Sequence, residues 1–142
     1  MDMQQQIAVV TLGVTDLKRS KRFYQDGFGW RPAFETDEIA FYQMNGLVLA
    51  TWLKAALEQD AATGRLPVPG AMALAHNVGE EAAVREVMAA LAAAGGTVLR
   101  EADAPPHGGL RGYVADPDGH IWEIAWNPAW PIDAEGRVRF AL

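Results

Sequence analysis

The chain of 142 residues contains no cysteine. Disulfides, thiolate nucleophiles and thiolate metal sites are therefore excluded. Basic residues are scarce: 12 Lys and Arg stand against 18 Asp and Glu, for a formal net charge of -6. Phosphate recognition needs a basic patch, and the one local cluster, Lys18-Arg19 with Lys21-Arg22, is short and reads as the wet face of a helix. Nucleic acid is thus not an expected partner. No stretch approaches the roughly twenty apolar residues of a membrane span. Met1 to Gln6 is polar and lacks the apolar centre of a signal peptide, so the expectation is a cytoplasmic protein with no membrane partner. What is present is a composition of 50% hydrophobic and 21% charged residues, the balance of one globular domain large enough to bury a core.

Ile7 to Val14 is β-rich, and Thr15-Asp16 behind it can cap a helix. Leu17, Lys21, Tyr24 and Phe28 recur at helical spacing until Gly27 and Gly29 interrupt them. Three extended segments are predicted next, at Trp30 to Phe34, Ile39 to Met44 and Leu47 to Trp52, with Asn45-Gly46 as a hairpin signal between the last two. Residues 54–70 form a connector, with a short exposed helix at Lys54 to Asp60 and a turn-forming Pro67-Val-Pro-Gly70.

The pattern then repeats. Met72 to Val78 reads as a strand, and Glu80 to Ala94 as a helix with Val84, Val87, Met88 and Leu91 on one face, closed by Gly95-Gly96. Thr97 to Arg100, Leu110 to Ala115 and Ile121 to Trp126 are extended. Setting Val14 on Val78 puts Val10 on Leu74 and Phe23 on Val87, so apolar positions agree through strand and helix. The expected fold class is α+β: two βαβββ modules, about 5–53 and 71–128, forming curved mixed sheets around a cavity with helices outside. Residues 1–142 are read as a single domain, with a tail at 129–142 that covers an edge.

The segments "VTLGVTDLKRSKRFY" and "GYVADPDGHIWEIAWNP" resemble the vicinal oxygen chelate superfamily, which groups glyoxalase I, extradiol dioxygenases and bleomycin resistance proteins. The resemblance implies the paired-module fold and pairing of two copies as a homodimer. It does not select one function, because members of that superfamily isomerise, cleave, transfer groups or sequester drugs on one scaffold. In its metal-dependent members, the first and last strand of each module supply four donors. The matching positions here are Val9, Ala73, Glu123 and Ala50, or Leu49 if the register slips by one. A divalent transition metal needs three or four converging donors, and three of these positions are hydrocarbon, so no metal and no other cofactor is expected. Of the histidines, His76 has the parity of the helix-facing side, His120 has parity opposite to Glu123, and only His107, on the Pro105-to-Gly109 loop, is free to swing in.

Asp116-Pro-Asp-Gly119 has the chemistry of a type I turn followed by a bulged glycine. That turn pairs Asp116 with His120, Val114 with Trp122, Tyr113 with Glu123 and Arg111 with Ala125. Paired residues share a face, so Glu123 lies beside Tyr113 and diagonal to Arg111. Val114, Trp122 and Ile124 form the apolar face against the helices. A two-residue loop would instead bury Arg111 in the core.

Thr11, Asn77, Phe41, Gln43 and Trp52 join the Glu123 side by the same alternation. The inferred pocket thus has an apolar and aromatic lining with a few polar groups, the make-up of a small-molecule site. A carboxylate there must be paired with Arg111, hydrogen-bonded to Tyr113, or protonated with a raised pKa. The favoured reading is a metal-free pocket for a small organic molecule, lined by Arg111, Tyr113, Asn77, Thr11, Phe41, Gln43, Trp52 and His107, with Glu123 as ligand acceptor or catalytic base. The alternatives are a metal-dependent or Glu123-based lyase, isomerase or dioxygenase, and a structural module whose hollow is filled by side chains.

Overall fold

The order of elements follows the repeat in the sequence. Strand β1 (Val9–Val14) leads into α1 (Leu17–Arg22), which continues as a π-helical turn over Phe23–Gly27, and then come β2 (Phe34–Glu35), β3 (Ile39–Gln43) and β4 (Val48–Leu53). Helix α2 (Lys54–Ala61) opens the connector. The second pass is β5 (Ala73–Asn77), α3 (Glu81–Ala93), β6 (Thr97–Asp103), β7 (Leu110–Ala115) and β8 (Ile121–Trp126). The computed structural model describes residues 3–140. The strands form two four-stranded mixed sheets, β1-β4-β3-β2 and β5-β8-β7-β6, neither of them closed. In each, the outermost first strand runs parallel to the last, and the remaining pairs are antiparallel.

The chain divides into two compact units: residues 1–17 with 31–66, and residues 18–30 with 67–142. The first helix therefore groups with the second sheet, rather than with the strands that flank it in sequence.

In the first unit, alternation along the strands buries Leu12, Val14, Ala40, Tyr42, Leu49 and Thr51 on one face. Burial pushes the Tyr42 phenol up to about 12, with Glu35 adding to the effect. Helix α2 lies against β1 and β4, where Gly13 has only hydrogen to set against Lys54 and Leu57. None of its residues is buried, as expected of a short exposed helix. The Asn45-Gly46 turn closes as a hairpin through Met44 N donating to Leu47 O at 2.8 Å, with Gly46 at φ 103°.

In the second unit, α3 buries Val84, Met88 and Leu91. It ends where Gly95 takes φ 107°, with Gly96 N donating to Leu91 O at 2.9 Å and Gly95 N to Ala92 O at 3.3 Å, the pairing of a Schellman motif. Phe23, Leu91 and Val114 converge at Gly96, whose missing side chain admits them. The extended segment expected from Trp30 is shortened to Phe34–Glu35. Trp30 instead stacks on Phe28 at 4.0 Å, and its N–H donates to Tyr24 O at 3.0 Å, which carries the chain out of the π-helical turn. The tail makes a bridge between Ile132 and Val138, and Trp130 packs edge-on to Phe140 at 5.1 Å.

Candidate functional site

The β7–β8 hairpin carries the candidate acid, and its register follows from its turn. Asp116 N donates to His120 O at 2.8 Å, Gly119 N donates to Asp116 O at 3.0 Å, and Gly119 sits at φ 94°. The Asp116 carboxylate completes the turn by accepting from the backbone N–H of Asp118 at 2.9 Å and of His120 at 2.8 Å. The observed pairs are Val114 with Trp122, Tyr113 with Glu123 and Arg111 with Ala125, as the turn chemistry predicts. Val114, Trp122 and Ile124 are buried, leaving Glu123 and Tyr113 on the opposite, half-buried face.

Among the open alternatives for Glu123, the structure shows the tyrosine contact: Tyr113 Oη donates to Glu123 Oε2 at 3.4 Å. Arg111 goes elsewhere. Its guanidinium meets the Asp103 carboxylate, which also takes a two-pronged contact from Arg100, Nε to Oδ1 at 3.1 Å and Nη2 to Oδ2 at 2.9 Å. Hydrogen bonding and charge from Arg100, with help from Arg111, hold the Asp103 carboxyl below the usual range. The Arg111–Glu123 pairing, one of those alternatives, gives way to this contact because β6 extends three residues beyond Arg100, with irregular register, and brings Asp103 opposite Arg111.

Asn77 is half-buried at the end of β5, and His107 is exposed on its loop. Thr11, Phe41, Gln43 and Trp52 belong to the first unit and share one face of its sheet. Gln43 spends its amide on the hairpin turn, donating to Met44 O at 2.8 Å, and Trp52 Nε1 donates to Glu38 at 3.1 Å. Phe41 stacks on Phe34 at 5.9 Å. In the second unit, an open groove of about 520 Å³ runs over the Glu123 side of the sheet, bordered by Met72, Ala73, Leu99, Arg100, Tyr113 and Ile121. Neither Arg100 nor Asp103 stood out in the sequence, because an Arg and an Asp three residues apart look like an ordinary surface pair until the strand carrying them is placed.

On the other face, Tyr24 Oη donates to Asp116 Oδ2 at 2.7 Å and accepts from Trp122 Nε1 at 3.2 Å. Burial raises the Asp116 pKa, opposed by Tyr24 and the turn N–H groups. His76 lies on this helix-facing side, edge-on to Phe28 at 5.4 Å and Trp30 at 5.7 Å, and burial lowers its pKa.

The internal repeat can now be read from pairing. Ala50 lies between Thr11 and Phe41 as Glu123 lies between Ala75 and Tyr113, which makes Ala50 rather than Leu49 the counterpart of Glu123. Val9, Ala50 and Ala73 offer hydrocarbon where a chelated metal needs nitrogen or oxygen, so these positions do not fit a metal centre. Among the described residues, no three His, Asp or Glu side chains gather into a group able to hold a metal ion.

The Glyoxalase/Bleomycin resistance protein/Dioxygenase superfamily model matches residues 6–124. The chain belongs to that superfamily. A glyoxalase-related enzyme from Fulvimarina pelagi is 63% identical, with a TM-score of 0.94 over 98% of this chain and all of that one. A hypothetical protein from S. aureus shares the fold at 19% identity and TM-score 0.77, over 89% of this chain and 96% of that one. Lactoylglutathione lyase from Agrobacterium tumefaciens does so at 21% identity and TM-score 0.70, over 90% and 98%. No functionally curated protein matches significantly. No helix among the described residues is long and apolar enough to cross a membrane.

Proposed function

We propose that this superfamily member binds a small organic molecule without a metal ion, on the face of the second sheet that carries Tyr113 and Glu123. The observation that carries the reading is the hydrogen-bonded Tyr113–Glu123 pair, the tyrosine of which borders an open, mainly apolar groove. A carboxylate and a phenol beside hydrocarbon provide orientation, while the hydrocarbon contributes affinity. The test is a fragment library screened by protein-observed NMR. Ligands are expected to shift Tyr113 and its strand neighbours and to weaken on Glu123→Gln; hits that avoid this face altogether would reject the proposal.

A second reading is supported by the kinship with a glyoxalase-related enzyme. In it, Glu123 removes a proton from carbon next to a substrate carbonyl, and the Tyr113 hydroxyl orients the carboxylate. Turnover abolished in Glu123→Gln with an unchanged fold would favour it; unchanged turnover would remove it. Family resemblance also supports a homodimer, for which light scattering should return twice the mass of one chain.

A further inference from the structure

We infer that the ligand of this groove is a small carboxylic acid with an apolar body and a hydroxyl or amino group near its carboxylate, recognised by Arg100. The inference rests on the proposed binding face and specifies its chemistry.

Arg100 pairs with Tyr113 across β6 and β7, and Tyr113 pairs with Glu123 across β7 and β8. A cation, a phenol and a carboxylate thus form one row over three adjacent strands, spanning about 10 Å at the usual strand spacing. Arg100 and Tyr113 border the groove, alongside Met72, Leu99 and Ile121. The apolar members accommodate a hydrocarbon or aromatic body.

The geometry of the guanidinium decides the class of polar group. Asp103 engages Arg100 side-on, through Nε and Nη2. A guanidinium has five N–H donors, so its end-on edge, Nη1 with the second Nη2 hydrogen, remains for a planar two-oxygen acceptor. Asp103 is itself held by Arg111, so it acts as a positioning residue for Arg100. These three side chains sum to one positive charge. Tyr113 contributes the complementary feature: its single hydroxyl proton is donated to Glu123, which leaves its oxygen as an acceptor. A ligand meeting both groups carries an anion for Arg100 and a donor for Tyr113.

The first sheet shows by contrast that this row is not a property of the repeat. At the corresponding positions Phe34, Phe41 and Ala50 stand in for Arg100, Tyr113 and Glu123, so the polar row occurs on one sheet only.

The experiment is an NMR titration of the full chain with three probes: 3-phenyllactate, its uncharged methyl ester, and cationic 2-phenylethylamine. The acid should bind more tightly than either of the others. Arg100→Gln should weaken the acid at least about tenfold while leaving the ester unchanged, as expected for loss of a charge-assisted pair. Arg100→Lys should recover part of that loss, and Asp103→Asn should weaken the acid selectively, which a merely structural role would not do. Equal affinity for acid and ester, preference for the amine, or equal weakening of acid and ester in Arg100→Gln would overturn the carboxylate assignment while leaving the binding face standing. Failure of all three probes to perturb Tyr113 would overturn both.

Discussion

The Tyr24 hydroxyl donates to the buried Asp116 carboxylate at 2.7 Å, tying the π-helical turn of the first helix to the β7–β8 turn 92 residues further on. Trp122 Nε1 donates to the same hydroxyl at 3.2 Å, so one phenol serves two buried polar groups. Removing it in Tyr24→Phe leaves an acceptor and a donor unsatisfied. The expected loss is about 2–4 kcal/mol, at roughly 1–2 kcal/mol per group, checked by urea unfolding. A loss under about 0.5 kcal/mol would contradict the network.

Asp116 also predicts a pH dependence. Its folded pKa is raised above the ordinary 3.8, chiefly by burial. The native state therefore favours the protonated carboxyl, and this contribution is complete below 3.8 and disappears as pH rises through the folded value. The stability of the protein minus that of Asp116→Asn should accordingly fall with rising pH from about 3.8 upward and then level off. A difference that rises over that window would reverse the assignment.

Two glycines separate steric from conformational cost. A side-chain carbon at Gly96 would come within 2.8 Å of the Leu91 carbonyl oxygen and of Val114, and within 2.7 Å of Phe23. Gly96→Ala should cost about 1–3 kcal/mol by overpacking. Gly119 has nothing within 4 Å of such a carbon, but its φ is 94°. Gly119→Ala should cost about 1–2 kcal/mol through backbone strain alone. Thermal unfolding of both variants checks this, and Gly119→Asn should be milder than Gly119→Ala because asparagine tolerates positive φ better.

Chelation should leave the protein intact. With hydrocarbon at Val9, Ala50 and Ala73, exhaustive dialysis against EDTA is expected to change neither the melting temperature nor ligand binding. Elemental analysis recovering one transition metal ion per chain, lost in Glu123→Gln, would defeat the metal-independent reading.

The Tyr113–Glu123 hydrogen bond is long at 3.4 Å and only part-buried. A double-mutant cycle of Tyr113→Phe with Glu123→Gln should therefore give a stability coupling below about 1 kcal/mol. The two residues should matter to ligand binding far more than to folding. Large destabilisation by either single variant would mark the pair as structural.

Much of the second hairpin was legible in the chain, because Asp116-Pro-Asp-Gly119 restricts the turn and a one-residue slip would bury Arg111. The same alternation placed His76 on the helix-facing side, where Phe28 and Trp30 flank it. The strand expected at Trp30 to Phe34 was less legible: alternation suggests extension, but stacking of Trp30 on Phe28 offers a competing use for the same residue. Arg100 and Asp103 were invisible as site residues, since bulges along β6 decide what they face.

By itself, the sequence determined the repeated order of strands and helices, the β7–β8 register and the hydrocarbon at three would-be donor positions. These depend on turn chemistry, side-chain alternation and residue identity, all of which act within a few residues. Tertiary structure alone decided that residues 18–30 group with the second sheet, that Arg111 joins Asp103, and that Arg100, Tyr113 and Glu123 align in one row. An amphipathic helix specifies that it must bury a face and a long cation that it seeks an acid, but which partner each finds depends on groups brought close only when distant segments pack.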